Sequence, residues 1–193
     1  MRAIGASTSS ASGGQVARLT RTISAIQPYL LGVPVLASSS RVADHFQGTI
    51  AWSLARQFVA SDPADPWKRY DPAKAFNDFT TVDLTRGIWV EVTVPGEYRV
   101  AGAVPCVISV DLKAGWNLVG FPSATSMSVA TATGSLLGPL AVEGYDATVP
   151  PYFLRRLGPG DLLDPMQGVW IESPVDQTWT VVNDANPSCV PAP

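Results

Sequence analysis

Histidine, cysteine and charge are all scarce in this 193-residue chain, which has one His, two Cys and 15% charged residues. A lone His45 leaves little for nucleophilic hydrolysis, which needs a base beside a Ser or Cys. No Gly-x-Ser-x-Gly elbow is present, since Thr133-Gly134-Ser135-Leu136-Leu137-Gly138 has the wrong spacing. Cys106 and Cys189 lack the C-x-x-C spacing of a metal or redox motif. With a net charge of -3 spread along the chain, no face is expected to attract a phosphate backbone, so nucleic acid is not an expected partner. Apolar runs are broken by Pro or Gly well before the roughly 20 residues that cross a bilayer, and no membrane span is expected.

What is abundant is turn chemistry among apolar residues. Hydrophobic residues make up 46%, with 16 Gly and 17 Pro, a mixture that suits a compact protein of short segments. Residues 1–15 are small and rich in Ser, Gly and Ala, and residues 1–27 read as a flexible or degenerate leader. Residues 16–27 are expected to be either a degenerate version of the hairpin that opens the second half or a short helix over a sheet edge. The run 23–36 has a weak likeness to a cleavable export signal, interrupted by Gln27, Pro28 and Pro34.

The strongest signal is self-similarity. Gly87-Ile88-Trp89-Val90-Glu91 recurs as Gly168-Val169-Trp170-Ile171-Glu172, and Leu30-Leu31-Gly32-Val33-Pro34 parallels Leu118-Val119-Gly120-Phe121-Pro122. Tyr98-Arg99-Val100 matches Trp179-Thr180-Val181 downstream. Asp62-Pro63-Ala64-Asp65-Pro66-Trp67 parallels the stretch from Asp146 to Tyr152. These landmarks keep one order, and they divide the chain into a first copy at 28–104, a second at 105–185 and a Pro-rich tail at 186–193.

Val90, Val92 and Val94 alternate with Trp89, Glu91 and Thr93, the period-two pattern of a strand with one buried face. Shorter runs bounded by Gly, Pro, Asp or Asn give about four or five strands per copy. Lys113-Ala114-Gly115 is a three-residue hairpin loop ending in Gly. Ser40 is expected to cap a helix carrying Val42, Phe46 and Ile50 on one face, and a shorter helix follows Ser128. The expected fold is mainly β, with two tandem antiparallel units, one short helix in each, arranged about a pseudo-twofold axis.

Lys113-Ala114-Gly115-Trp116-Asn117-Leu118-Val119-Gly120-Phe121-Pro122, followed by Gly168-Val169-Trp170-Ile171, resembles the GWNL-x-x-x-P and G-x-W-[IV] repeats of bacterial and archaeal extracellular proteins. The first copy lacks the Gly-Trp-Asn opening. The resemblance implies an extracellular or cell-surface accessory module, structural or adhesive, and it brings no catalytic residues.

Several residues are nevertheless candidates for chemistry. His45 is expected to be half-exposed on its helix, with catalysis the lesser reading. Glu91 and Glu172 would be the carboxylates of a glycosidase, although strand-surface duty explains them as well. Asp62, Asp65 and Asp71 offer oxygen ligands of the kind Ca²⁺ accepts, and turn formation accounts for them equally. Trp67, Tyr70 and Tyr152 are the rings expected to meet a ligand, carbohydrate first or else another surface protein. Trp89, Trp116 and Trp170 are assigned to the core. A Cys106–Cys189 bridge would close a loop of 82 intervening residues, worth about 4 kcal/mol in the chain-entropy view. Two separate buried thiols are the competing reading. The functional expectation is a non-catalytic module that binds carbohydrate, with a small hydrolase of esters, lactones or glycosides, or a virion or filament subunit, as alternatives.

Overall fold

The computed structural model describes residues 5–9, 16–138, 140–183 and 189–190, the first and last of these stretches by backbone course only. The chain is mainly β, with two short helices and several antiparallel sheets. The first half contains β1 (Gly5–Ser9), β2 (Val16–Ile23), β3 (Pro28–Leu31), β4 (Leu36–Ala37) and α1 (Val42–Phe46). It continues through β5 (Ala51–Phe58), β6 (Trp67–Tyr70), β7 (Ile88–Val94) and β8 (Gly96–Pro105). The second half begins with β9 (Val107–Leu112), β10 (Gly115–Gly120), β11 (Met127–Ser128) and α2 (Val129–Ala132). It continues with β12 (Ala141–Tyr145), β13 (Leu154–Arg156), β14 (Leu162–Leu163), β15 (Gly168–Ser173) and β16 (Gln177–Val182). A short β17 (Cys189–Val190) comes last.

Each half builds one four-stranded antiparallel sheet, ordered β3-β7-β5-β6 in the first and β10-β15-β12-β13 in the second. Register makes the positions correspond. Trp89 of β7 stands between Leu30 and Arg56, and Trp170 of β15 stands between Leu118 and Glu143. Each half also has a two-stranded ribbon, β2 with β8 and β9 with β16, in which Tyr98 opposes Arg21 and Trp179 opposes Val110. In the first half β1 extends this ribbon beside β2, while β4 and β17 pair with β8. Residues 16–23, on which a short helix was one expectation, are thus a strand whose Ala17, Leu19 and Ile23 are buried.

Alternation drives the burial. Ile88, Val90 and Val92 point into the first core, and Val169 and Ile171 into the second. Trp89 and Trp170 are therefore on the opposite sheet faces and only half-buried, as is Trp116. The expectation that these three rings fill the core is corrected by the same period of two that identified the strands. Trp179, on the ribbon, is the fully buried one, and its indole Nε1 donates to the Ala132 carbonyl at 2.6 Å.

The helices are shorter than the pattern suggested. Ser40 does not cap α1, because its carbonyl accepts from Val82 N at 2.6 Å, and the N-cap is Arg41 without a side-chain bond. Ser128 does cap α2, accepting from Thr131 N at 3.1 Å.

The halves meet by exchanging matched contacts. Leu31 bridges to Gln167, and Val119, which holds the same register place, bridges to Arg86. Gly32 N donates to the Met166 carbonyl at 3.0 Å and Gly120 N to the Thr85 carbonyl at 3.2 Å. A Cβ on Gly32 would lie 2.7 Å from the Gln167 carbonyl oxygen, and one on Gly120 equally close to that of Arg86. Glycine at both places is what allows the two backbones to touch. The contacts on the two sides of the seam are thus reciprocal. The cores interlock as well, with Met166 inside the first and Leu84 packed against the second.

Candidate functional site

Aromatic rings from both halves collect at the seam. Phe58 ends β5, and antiparallel register places it opposite Trp67 on β6, with ring centroids 5.3 Å apart. Trp170 projects from the outer face of β15 to lie 5.2 Å from Phe58 and 5.9 Å from Trp67. Trp116 completes the group at 6.3 Å from Trp170. The contacts are tilted or edge-on, the geometry that ring quadrupoles prefer. Trp67 is 44% exposed at the outer end of the cluster. The Trp170 Nε1 donor is buried without an acceptor.

A matched cluster lies on the other side. Trp89 meets Tyr145, the register equivalent of Phe58, at 6.4 Å, and Tyr145 also meets Tyr29 at 5.0 Å. Burial pushes the Tyr145 hydroxyl up to about 12. Tyr70 packs instead on Trp52 at 5.6 Å, and Tyr152 is 79% exposed. The expected equivalence of Trp67 and Tyr152 is replaced by the register, which puts Leu154 opposite Tyr145.

Beside the first cluster a cleft of about 600 Å³ opens between the halves. Phe58, Ser61, Thr85 and Arg86 contribute from one side, and residues 109–112 of β9 with Lys113 and Thr178 from the other. Lys113 is paired with Asp176 at 2.8 Å, and Thr178 donates to Asp111 at 3.1 Å. With the Gln57 carboxamide oriented oxygen-first, Arg86 donates to it through Nε and Nη1 at 3.2 Å each. These residues come from segments far apart in sequence, and no local motif announces them.

The remaining candidates are placed as follows. His45 is buried, not half-exposed, because α1 turns it inward beside Phe46. It lines a space of about 190 Å³ with Ser38, Ser39 and Asp44. Burial lowers the pKa of its imidazole, which Asp44 and the Ser39 backbone offset in part. The Ser39 hydroxyl donates to Asp44 at 2.6 Å, and His45 Nε2 has no hydrogen-bond partner. A relay from His45 to a serine is therefore not assembled. Glu91 is paired with Arg56 at 3.1 Å on the first sheet, and Glu172 is exposed on the second.

Asp62 and Asp65 both bond Lys68 Nζ at 2.8 Å, so a lysine occupies the place a cation would take. The Lys68 bond holds Asp62 below the ordinary carboxylate value. Asp71 accepts from Ala73 N within its own turn. Among the described residues, no group of three or more His, Cys, Asp or Glu is gathered for a metal, and no helix is long and apolar enough to cross a membrane. Parallel pairing sets the Cys189 backbone opposite Val104, two residues from Cys106. The Cys189 side chain and residues 184–188 and 191–193 lie outside the described residues. Comparison with known proteins matches the chain to no family model, no curated protein and no solved structure.

Proposed function

We propose that this chain is a non-catalytic, extracellular or cell-surface accessory module, made by duplication of one β unit, with carbohydrate as its ligand. The observation that carries the reading is Trp67, an exposed indole at the end of a four-ring cluster drawn from both halves. An indole face stacks on the C–H side of a sugar ring, and neighbouring rings hold it in place at little entropic cost. The module resemblance of Gly115-Trp116-Asn117-Leu118 supports an extracellular setting. A Cys106–Cys189 bridge would belong to the same oxidising setting, and mass measurement without reductant tests it.

A glycan array probed with the full chain tests this. Binding to at least one glycan, lost in Trp67→Ala, is the expected result. The hydrolase alternative draws on His45 beside Ser38 and Asp44, but its free Nε2 has no hydroxyl to activate. No array signal, together with turnover of p-nitrophenyl acetate that disappears in His45→Ala, would replace the binding reading with the hydrolase.

A further inference from the structure

The matched halves enclose two equivalent spaces, and only one of them is filled. In the filled one, Arg21 reaches across the seam and donates through Nη1 to the Met166 carbonyl at 3.1 Å. Gln27 Nε2 donates to the Tyr145 hydroxyl, and Tyr29 lies against the Tyr145 ring. Filling needs a long cation, a phenol and a second phenol at three register positions.

Shorter or less polar side chains hold these positions in the other half. Val110 opposes Trp179 where Arg21 opposes Tyr98. Asn117 opposes Ile171 where Tyr29 opposes Val90, and its amide folds back on Lys113 and Gly115. Phe58 stands where Tyr145 stands, without a hydroxyl. The cleft of about 600 Å³ is what remains, within the usual size of a small-ligand site.

We propose that this cleft is the ligand site of the module, and that it takes a segment of a neutral oligosaccharide running from Ser109 and Thr178 past Phe58 to Trp67. The assignment rests on the carbohydrate reading above and names its place and chemistry. Two cations, Arg86 and Lys113, and two anions, Asp111 and Asp176, line the cleft, so the formal charges cancel. Lys113 is already held by Asp176 and Arg86 by Gln57. No surplus positive charge is left for a phosphate or carboxylate. What the walls do offer is the hydroxyls of Ser61, Ser109 and Thr178 beside the Phe58 ring, which suits a ligand with polar edges and apolar faces.

The test is titration of the full chain with cellohexaose, chitohexaose, maltohexaose and xylohexaose, read by intrinsic tryptophan fluorescence. Oligogalacturonate and inorganic phosphate serve as charged probes. Val110→Arg restores the side chain that fills the sister space, and Thr178→Arg obstructs the cleft from an exposed position. Binding of at least one neutral hexasaccharide, weakened about tenfold or more by each Arg variant, is the expected outcome. Should Val110→Arg fail to fold, Thr178→Arg decides alone. If both folded variants bind as the parent does while Trp67→Ala does not, the cleft is wrong and the carbohydrate reading survives. Tighter binding of oligogalacturonate or phosphate overturns the neutral assignment. No binding of any saccharide removes both.

Discussion

A methyl group at the seam has nowhere to go. Gly32 and Gly120 lie where the halves touch through backbone, with the Cα of Gly120 only 3.0 Å from a Cβ built on Gly32. Gly32→Ala is expected to cost about 1–3 kcal/mol, the usual range for forcing atoms into a packed site. Gly160→Ala, with open space at its Cβ, is the control and should leave denaturant midpoints unchanged. His45 makes a different prediction at the same scale. Its folded pKa lies below the ordinary 6.5 because burial disfavours the cation. The unfolded chain therefore binds more protons between the two values, and stability rises with pH across that window. Thermal midpoints should fall as pH drops below about 6.5, and His45→Gln should flatten the decline. A parent profile that does not fall there would refute the assignment. The glycine pairs were visible in the sequence as repeated landmarks. Their reason was not, because a carbonyl 2.7 Å away belongs to a residue distant in the chain.

Among the elements, the turn at Lys113-Ala114-Gly115 shows how local chemistry becomes a strand edge. Gly115 takes φ 95°, and the buried Asn117 accepts from Lys113 N at 2.8 Å while donating to the carbonyls of Lys113 and Gly115. Asn117→Ala leaves these groups unpaired and is expected to cost about 1–3 kcal/mol in urea unfolding. A loss well under that would mean water replaces the amide. The β7 and β15 strands were legible because their alternation is regular. β5 shows no such regularity, since bulges at Ala51/Trp52 and Trp52/Leu54 break the period of two. The cap of α2 followed from Ser128 alone, whereas Ser40 was drawn into pairing with the segment around Val82, a competitor that no helix rule contains.

At the scale of the molecule, the interlocked cores argue against two independent units. With Met166 buried in the first core and Leu84 packed on the second, neither half keeps its interior when the other unfolds. Tryptophan fluorescence and far-ultraviolet circular dichroism should therefore report one coincident transition. Two separated transitions would show that the seam carries little of the stability. The tail supplies a further check. Mass measurement without reductant should find the chain lighter by two hydrogens if Cys106 and Cys189 are bridged, and reduction should lower the unfolding midpoint.

From the sequence alone came the β class, the existence of most strands, the matched landmarks and the candidacy of Trp67, because alternation, turn residues and aromatic outliers are properties of neighbouring residues. Tertiary structure decided which rings join Trp67, that Lys68 sits between the aspartates, and that one of two equivalent spaces stays open. Each of these depends on side chains brought together from distant segments, and a linear pattern holds no record of the distance between them.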